Sequence, residues 1–148
     1  MSTDPIAHLL HTYADAVCRR DPDQWIGTWD ENAVWELGKG RQVEGREAIL
    51  NLWNTAMDGF CAVVQNVVNS TCDLDEEAGT GTGRSYIFEH WHRANDDRGL
   101  LLAYYDDKYV RTDGQWLFAS RELVPQYGGP PDLSGTFLNA WREPETDS

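Results

Sequence analysis

Apolar side chains recur at Ile6, Leu9, Leu10, Tyr13, Ala14, Val17 and Cys18 in the first twenty residues. That i, i+3, i+4, i+7 spacing predicts an amphipathic helix over residues 4–20. Asp4-Pro5 supplies its start, with a carboxylate to cap the first free N–H groups and a proline at the first helical position. Asp21-Pro22 ends it, and Pro22 opens a short second helix through Gln24, Trp25, Ile26 and Trp29. Asp30-Glu31-Asn32 reads as a turn, followed by a strand over Ala33–Leu37, a Gly38-Lys39-Gly40 turn and a return through Gln42–Gly45. Arg46–Asp58 is a third helix, with Ile49, Leu50, Trp53, Ala56 and Met57 on one face. Beyond Gly59 the period changes from helical to alternating, which predicts strands near Cys61–Leu74, Gly81–Arg93, Leu100–Arg111 and Gln115–Val124. From Pro125 the chain reads as a loop-like tail with Gly128-Gly129-Pro130-Pro131 and an acidic end, suited to lie as an arm over a neighbour.

Asp113-Gly114, between two aromatic-rich runs, is a strong hairpin signal because both turn residues tolerate positive φ. On its first strand, Tyr105 and Asp107 share the parity of Leu101, Ala103 and Tyr109, so polar groups fall on a face that otherwise reads as core. Such groups need partners, either a lined cavity or an ion pair with Arg84 or Arg121 from a neighbouring strand. Helices ahead of a long antiparallel meander give an α+β fold. We expect a cone-shaped barrel: three N-terminal helices against a curved, mixed but mainly antiparallel sheet that encloses a cavity. At 148 residues, without repeat or linker, the chain reads as one domain with its core over about residues 6–124 and a tail over 125–148.

A net charge of −13 at neutral pH excludes the basic patches that nucleic acid or an anionic membrane would require. No run reaches the roughly 18 apolar residues of a membrane span, and the N-terminus lacks the basic and apolar regions of a signal peptide. Cys18, Cys61 and Cys72 are odd in number and without C-x-x-C spacing, so a reducing, cytoplasmic setting is expected. His90-Trp91-His92 puts two imidazoles on one strand face, but a zinc enzyme needs three protein ligands. No metal and no cofactor are expected. Seven tryptophans, a high number for this length, suggest an apolar, ring-containing small-molecule ligand, and Trp35 and Trp53 are candidates for its wall.

Tyr13 on the first helix, Asp21 at its end, Trp29-Asp30-Glu31-Asn32-Ala33-Val34-Trp35 and Gly45-Arg46-Glu47-Ala48-Ile49 together resemble the nuclear transport factor 2-like superfamily, and within it the SnoaL-like family. Gly83-Arg84-Ser85-Tyr86, Tyr105-Asp106-Asp107-Lys108-Tyr109 and Asp113-Gly114-Gln115-Trp116 are similar to the scytalone dehydratase and bile-acid dehydratase branch. The resemblance covers about residues 6–124 and implies a pocket tyrosine at Tyr13. It also implies a carboxylate where this chain has Cys18, and a histidine where it has Gln65-Asn66. The usual carboxylate–histidine pair is therefore missing.

Glu89 falls where the bile-acid branch carries a pocket acid, and His90 near the catalytic histidine of scytalone dehydratase. Adjacent strand residues point to opposite faces, so only one of them enters the interior. Two readings stand side by side. In the first, the chain is a cofactor-independent lyase or isomerase acting on a steroid- or polyketide-like substrate. Glu89 or His90 would serve as base, Tyr13 and Tyr105 would hold an enolate oxygen, and Asn66, Asp107, Trp35, Trp53 and Cys18 would contact substrate. In the second it is a ligand-binding or partner module with the same cavity and no chemistry. Cys18, on the apolar helix face near a helix C-terminus, reads on its residue type as an inert buried thiol. An open sheet face, with the resemblance, implies a homo-oligomer, either dimer or trimer.

Overall fold

The computed structural model describes residues 4–145; the outermost residues of the expected domain, 1–3 and 146–148, lie outside the described residues. The chain runs α1 (Pro5–Arg19), α2 (Pro22–Ile26), β1 (Trp29–Gly38), β2 (Arg41–Glu44), α3 (Arg46–Met57), β3 (Phe60–Asp75), β4 (Thr80–Arg93), β5 (Arg98–Thr112) and β6 (Gln115–Gly129). All six strands form one sheet in the order β2-β1-β6-β5-β4-β3, with β1 parallel to β6 and the other neighbours antiparallel. The fold is the expected α+β arrangement of three helices and a mixed sheet. The sheet does not close into a barrel: β2 and β3 remain as edges.

The helix starts follow the capping chemistry. The Asp4 carboxylate accepts from the Ile6 and Ala7 N–H groups at 2.9 and 3.2 Å, and Asp21 accepts from Gln24 N–H at 3.1 Å. Arg20 ends α1 in the left-handed region at φ 50°. The buried face of α1 comprises Ile6, Leu9, Leu10, Tyr13, Ala14, Ala16 and Val17. Next to it Trp25 stacks on Trp53 at 4.6 Å and 11°, with Trp29 and Trp35 tilted against Trp25 at 5.6 and 5.5 Å. Trp53 and Trp35 are therefore parts of an aromatic core that joins α2, α3 and β1. Trp53 is buried and Trp35 partly so.

Three expected boundaries are corrected. The second helix ends at Ile26, and Trp29 opens β1 instead of belonging to the helix. Asp30–Asn32 is strand, not turn, because β1 begins at Trp29 beside Phe118 and shifts register before Val34. The last strand does not stop at Val124 either: β6 runs to Gly129. Tyr127 is fully buried there, its hydroxyl donating to the Pro130 carbonyl at 2.6 Å and accepting from Gly135 N–H at 3.0 Å. The Asp113-Gly114 turn is as expected, with both residues at positive φ (51° and 79°).

Gly83 has a packing reason. A Cβ there would lie 2.7 Å from both the Tyr109 hydroxyl and the Thr71 carbonyl oxygen. Gly83→Ala is expected to displace Tyr109 and to cost about 1–3 kcal/mol, read from the urea midpoint at unchanged m-value. A loss under about 0.5 kcal/mol would contradict this packing.

Candidate functional site

The interior polar residues belong to three neighbouring strands and α1. The Arg121 Nε donates to Asp107 Oδ1 at 2.7 Å, and its Nη2 donates to Asp107 Oδ2 at 3.1 Å and to Ser85 Oγ at 3.2 Å. The Tyr109 hydroxyl donates to Asp107 Oδ2 at 3.2 Å. Both members of the ion pair are buried, which makes their mutual geometry decisive. The guanidinium also faces three rings, with its carbon 3.6 Å from the Tyr105 centroid, 4.0 Å from Phe118 and 4.4 Å from Tyr13. Of the two partners open to Asp107, Arg121 is the one taken. Arg84 instead pairs with Asp106 on the outer face.

The interior between α1 and the sheet is thus filled by this pair and its rings. Tyr13 and Tyr105 lie there together, hydroxyl to hydroxyl at 3.5 Å. Burial raises the pKa of both phenols, against the lowering effect of Arg121, so both remain protonated hydrogen-bond donors.

A further inward ionisable group lies on β4. Glu89 shares the inner face with Ile87 and Trp91, and its Oε1 accepts from Gln65 Nε2 at 3.1 Å. Burial pushes the Glu89 pKa up, with the Gln65 bond and the charge of Arg93 opposing it. Leu101, opposite Glu89 on β5, and Trp91 on the same face of β4 are partly buried and give the surroundings of Glu89 an apolar character. Gly99 leaves room for the Trp91 ring, which a Cβ at that position would overlap.

The alternation of β3 and β4 separates the remaining candidates. Gln65 is buried and Asn66 exposed; Glu89 points inward and His90 outward. Asn66 and His90 are therefore removed from the interior set by strand parity, and Gln65 takes the inner place. Cys18 is also corrected, being exposed rather than buried. Its Sγ accepts from Gln65 N–H at 3.2 Å and donates to the Gln65 carbonyl at 3.5 Å, so the thiol caps backbone groups on the free edge of β3. Sequence reasoning had Arg121 only as an optional partner for Asp107. No run of residue types signals its central position. Among the described residues, no group of three or more His, Cys, Asp or Glu side chains is arranged to hold a metal ion.

This arrangement, three helices with an α1 tyrosine packed against the inner face of a six-stranded mixed sheet, defines an α+β fold of the cystatin-like type. The profile of the SnoaL-like domain matches residues 2–122, and the chain belongs to that family. Among solved structures it is similar to a candidate scytalone dehydratase from Novosphingobium aromaticivorans, with 20% identity and TM-score 0.78 over 95% of this chain and 93% of the other. It is similar to a hexachlorocyclohexane dehydrochlorinase, LinA-type3, from Novosphingobium barchaimii, with 20% identity and TM-score 0.77 over 92% of each chain. A cystatin-like protein from Nostoc punctiforme, at 16% identity, superposes with TM-score 0.67 over 82% of this chain and 88% of the other. At these identities the likeness establishes the fold alone. No curated protein matches the sequence.

Two outcomes test this geometry. Asp107→Asn leaves the Arg121 charge uncompensated in the interior and is expected to cost about 3–5 kcal/mol, measured by urea denaturation. A cost below about 1 kcal/mol would mean that the pair is not desolvated. Glu89 has a raised native pKa, so its contribution to stability is full below the unfolded carboxyl range and is lost as pH rises through the native value. Glu89→Gln should therefore melt higher than wild type at pH 8 and level with it at pH 4, by calorimetry.

Proposed function

We propose that the chain binds a hydrophobic, ring-containing small molecule beside Glu89 and acts on it as a cofactor-independent lyase or isomerase. The observation that carries this reading is Glu89 itself, an inward carboxyl whose pKa is raised by burial and which is oriented by the Gln65 amide. As a carboxylate it would take a proton from the carbon next to a ring carbonyl, and the C–H electron pair would move into the enolate. Tyr105 and Tyr13, packed against Arg121 behind Glu89, stay protonated and feel its charge; they act on the carboxyl through the field and do not touch the enolate oxygen. In a lyase the enolate then expels a β-substituent with its bonding pair. In an isomerase the Glu89 carboxyl returns the proton to a different carbon. Trp91 and Leu101 supply apolar contact for the ring.

A second reading, a binding module without chemistry, is favoured by one observation. Cys18 and Gln65 stand where the resemblance implies a carboxylate and a histidine, and they touch each other through sulfur and backbone only. The free thiols of Cys18, Cys61 and Cys72 suit a reducing, cytoplasmic setting for either reading. No helix is long and apolar enough to cross a membrane among the described residues.

Proton exchange separates the two. With 2-tetralone, a bicyclic ketone, in deuterated buffer, the wild-type protein is expected to accelerate exchange of the protons next to the carbonyl, followed by NMR. Glu89→Gln should lose about 100-fold or more of that acceleration, and the wild-type rate should fall as acid protonates Glu89. Exchange that is equal in wild type and Glu89→Gln, or ketone binding without exchange, overturns the enzymatic reading; the latter result supports the binding module.

A further inference from the structure

The exposed large hydrophobic residues fall into two groups. Val64, Val68 and Phe88, each about half exposed, lie on the outer face of β3 and β4. Leu133, Phe137, Leu138 and Trp141 lie in the segment after β6; the first three are about half exposed, and Trp141 is fully exposed. Both groups are large for free surface, where extended apolar patches mark contact sites.

Their positions exclude mutual coverage within this conformation. Along β6, one side is occupied by β5 as far as Gly129, while β1 accompanies the other side only to Glu122. The segment after β6 uses the side that β1 leaves free. Phe137 bridges Tyr127, Leu138 N–H donates to the Gln126 carbonyl at 2.8 Å, and the Phe137 and Tyr127 rings meet at 5.0 Å. The arm is thus rooted on the β1 side of β6. The Val64–Phe88 patch lies two to three strands away on the other side of the sheet, roughly 10–15 Å at the usual strand spacing. Trp141 is fully exposed among the described residues.

We propose that the arm over residues 133–142 docks on the outer face of β3 and β4 of a second copy of this chain, with Trp141 and Phe137 covering Val64, Val68 and Phe88. Three half-exposed side chains are too few for a stable patch-on-patch contact, which buries about 800 Å² on each partner. The arm adds the missing apolar area, and its fixed root aims it away from its own patch. Asn66 and His90, which strand parity turns outward, flank Phe88 and Val64 as the polar rim of this contact. The contact joins unlike surfaces, so it closes as a reciprocal exchange of arms in a dimer or head-to-tail in a small ring. This assembly does not depend on the chemistry at Glu89.

Light scattering after size exclusion, together with sedimentation equilibrium, tests it on the full chain. Wild type is expected to be an assembly of two or more copies at micromolar concentration. Phe88→Glu should be monomeric, and Trp141→Ala should weaken association by about tenfold or more, both with unchanged near-ultraviolet circular dichroism. Trp141 is fully exposed, so its truncation cannot act through folding, and Val64→Lys replaces Phe88→Glu if that variant unfolds. Mixing the two variants is the decisive step. The intact arm of Phe88→Glu should bind the intact patch of Trp141→Ala as a 1:1 complex. A monomeric wild type, an assembly indifferent to Trp141→Ala, or a failure of the mixture to associate overturns the proposal; failure to associate on mixing is the outcome that patch-on-patch packing would produce.

Discussion

The buried pairing of Arg121 with Asp107 is the interaction on which the interior depends. Two charges taken out of water are costly unless every lone pair and proton finds a partner. Here β5 supplies Asp107 and the Tyr109 hydroxyl, β4 supplies Ser85, and the rings of Tyr13, Tyr105 and Phe118 face the guanidinium. Three strands and the first helix are thereby held to one register around one cation. Gly83 belongs to the same unit, since only a residue without Cβ leaves space for Tyr109 to reach Asp107.

Filling the centre in this way leaves Tyr13, Tyr105 and Asp107 as core groups. Where a cavity was expected at the meeting of Tyr13, Tyr105 and Asp107, there is a packed polar core. The inward ionisable group outside that core is Glu89, with Gln65 as its partner. The site and the core are still coupled, because the Glu89 charge is felt by both tyrosines. Cys18 contributes through architecture. It closes the hydrogen bonds of an edge strand at the residue whose side chain orients the carboxylate.

The same strands serve two surfaces. On β3 and β4, Gln65 and Glu89 face inward while Asn66, His90 and Phe88 face water. Period-two alternation therefore assigns neighbouring residues to different surroundings, one set to the interior and the other to the exposed outer face. A fold shared by proteins of different activities leaves function to such local assignments.

Much of this was legible in the residue pattern. Helical spacing with Asp-Pro starts located α1 and α2, and Asp113-Gly114 located the last hairpin, because capping and turn chemistry are local. The parity of Tyr105, Asp107 and Tyr109 likewise made them inner residues before any contact was known. The choice between Glu89 and His90 stayed open, since alternation says that neighbours oppose and not which one is inside. The partner of Asp107 was harder still. An unbroken hairpin pairing Thr112 with Gln115 would set Asp107 opposite Ser120, but a register shift between Lys108 and Tyr109 sets it opposite Arg121. That one extra residue changes the inner parity of β6 from Phe118 to Arg121. The sequence by itself determined the elements, their order and the inner face of β5, all of which follow from neighbours along the chain. Only the tertiary structure decided which charge is buried, which carboxyl faces the interior and where β6 ends. Each of these rests on a bulge, or on a contact between residues far apart in sequence.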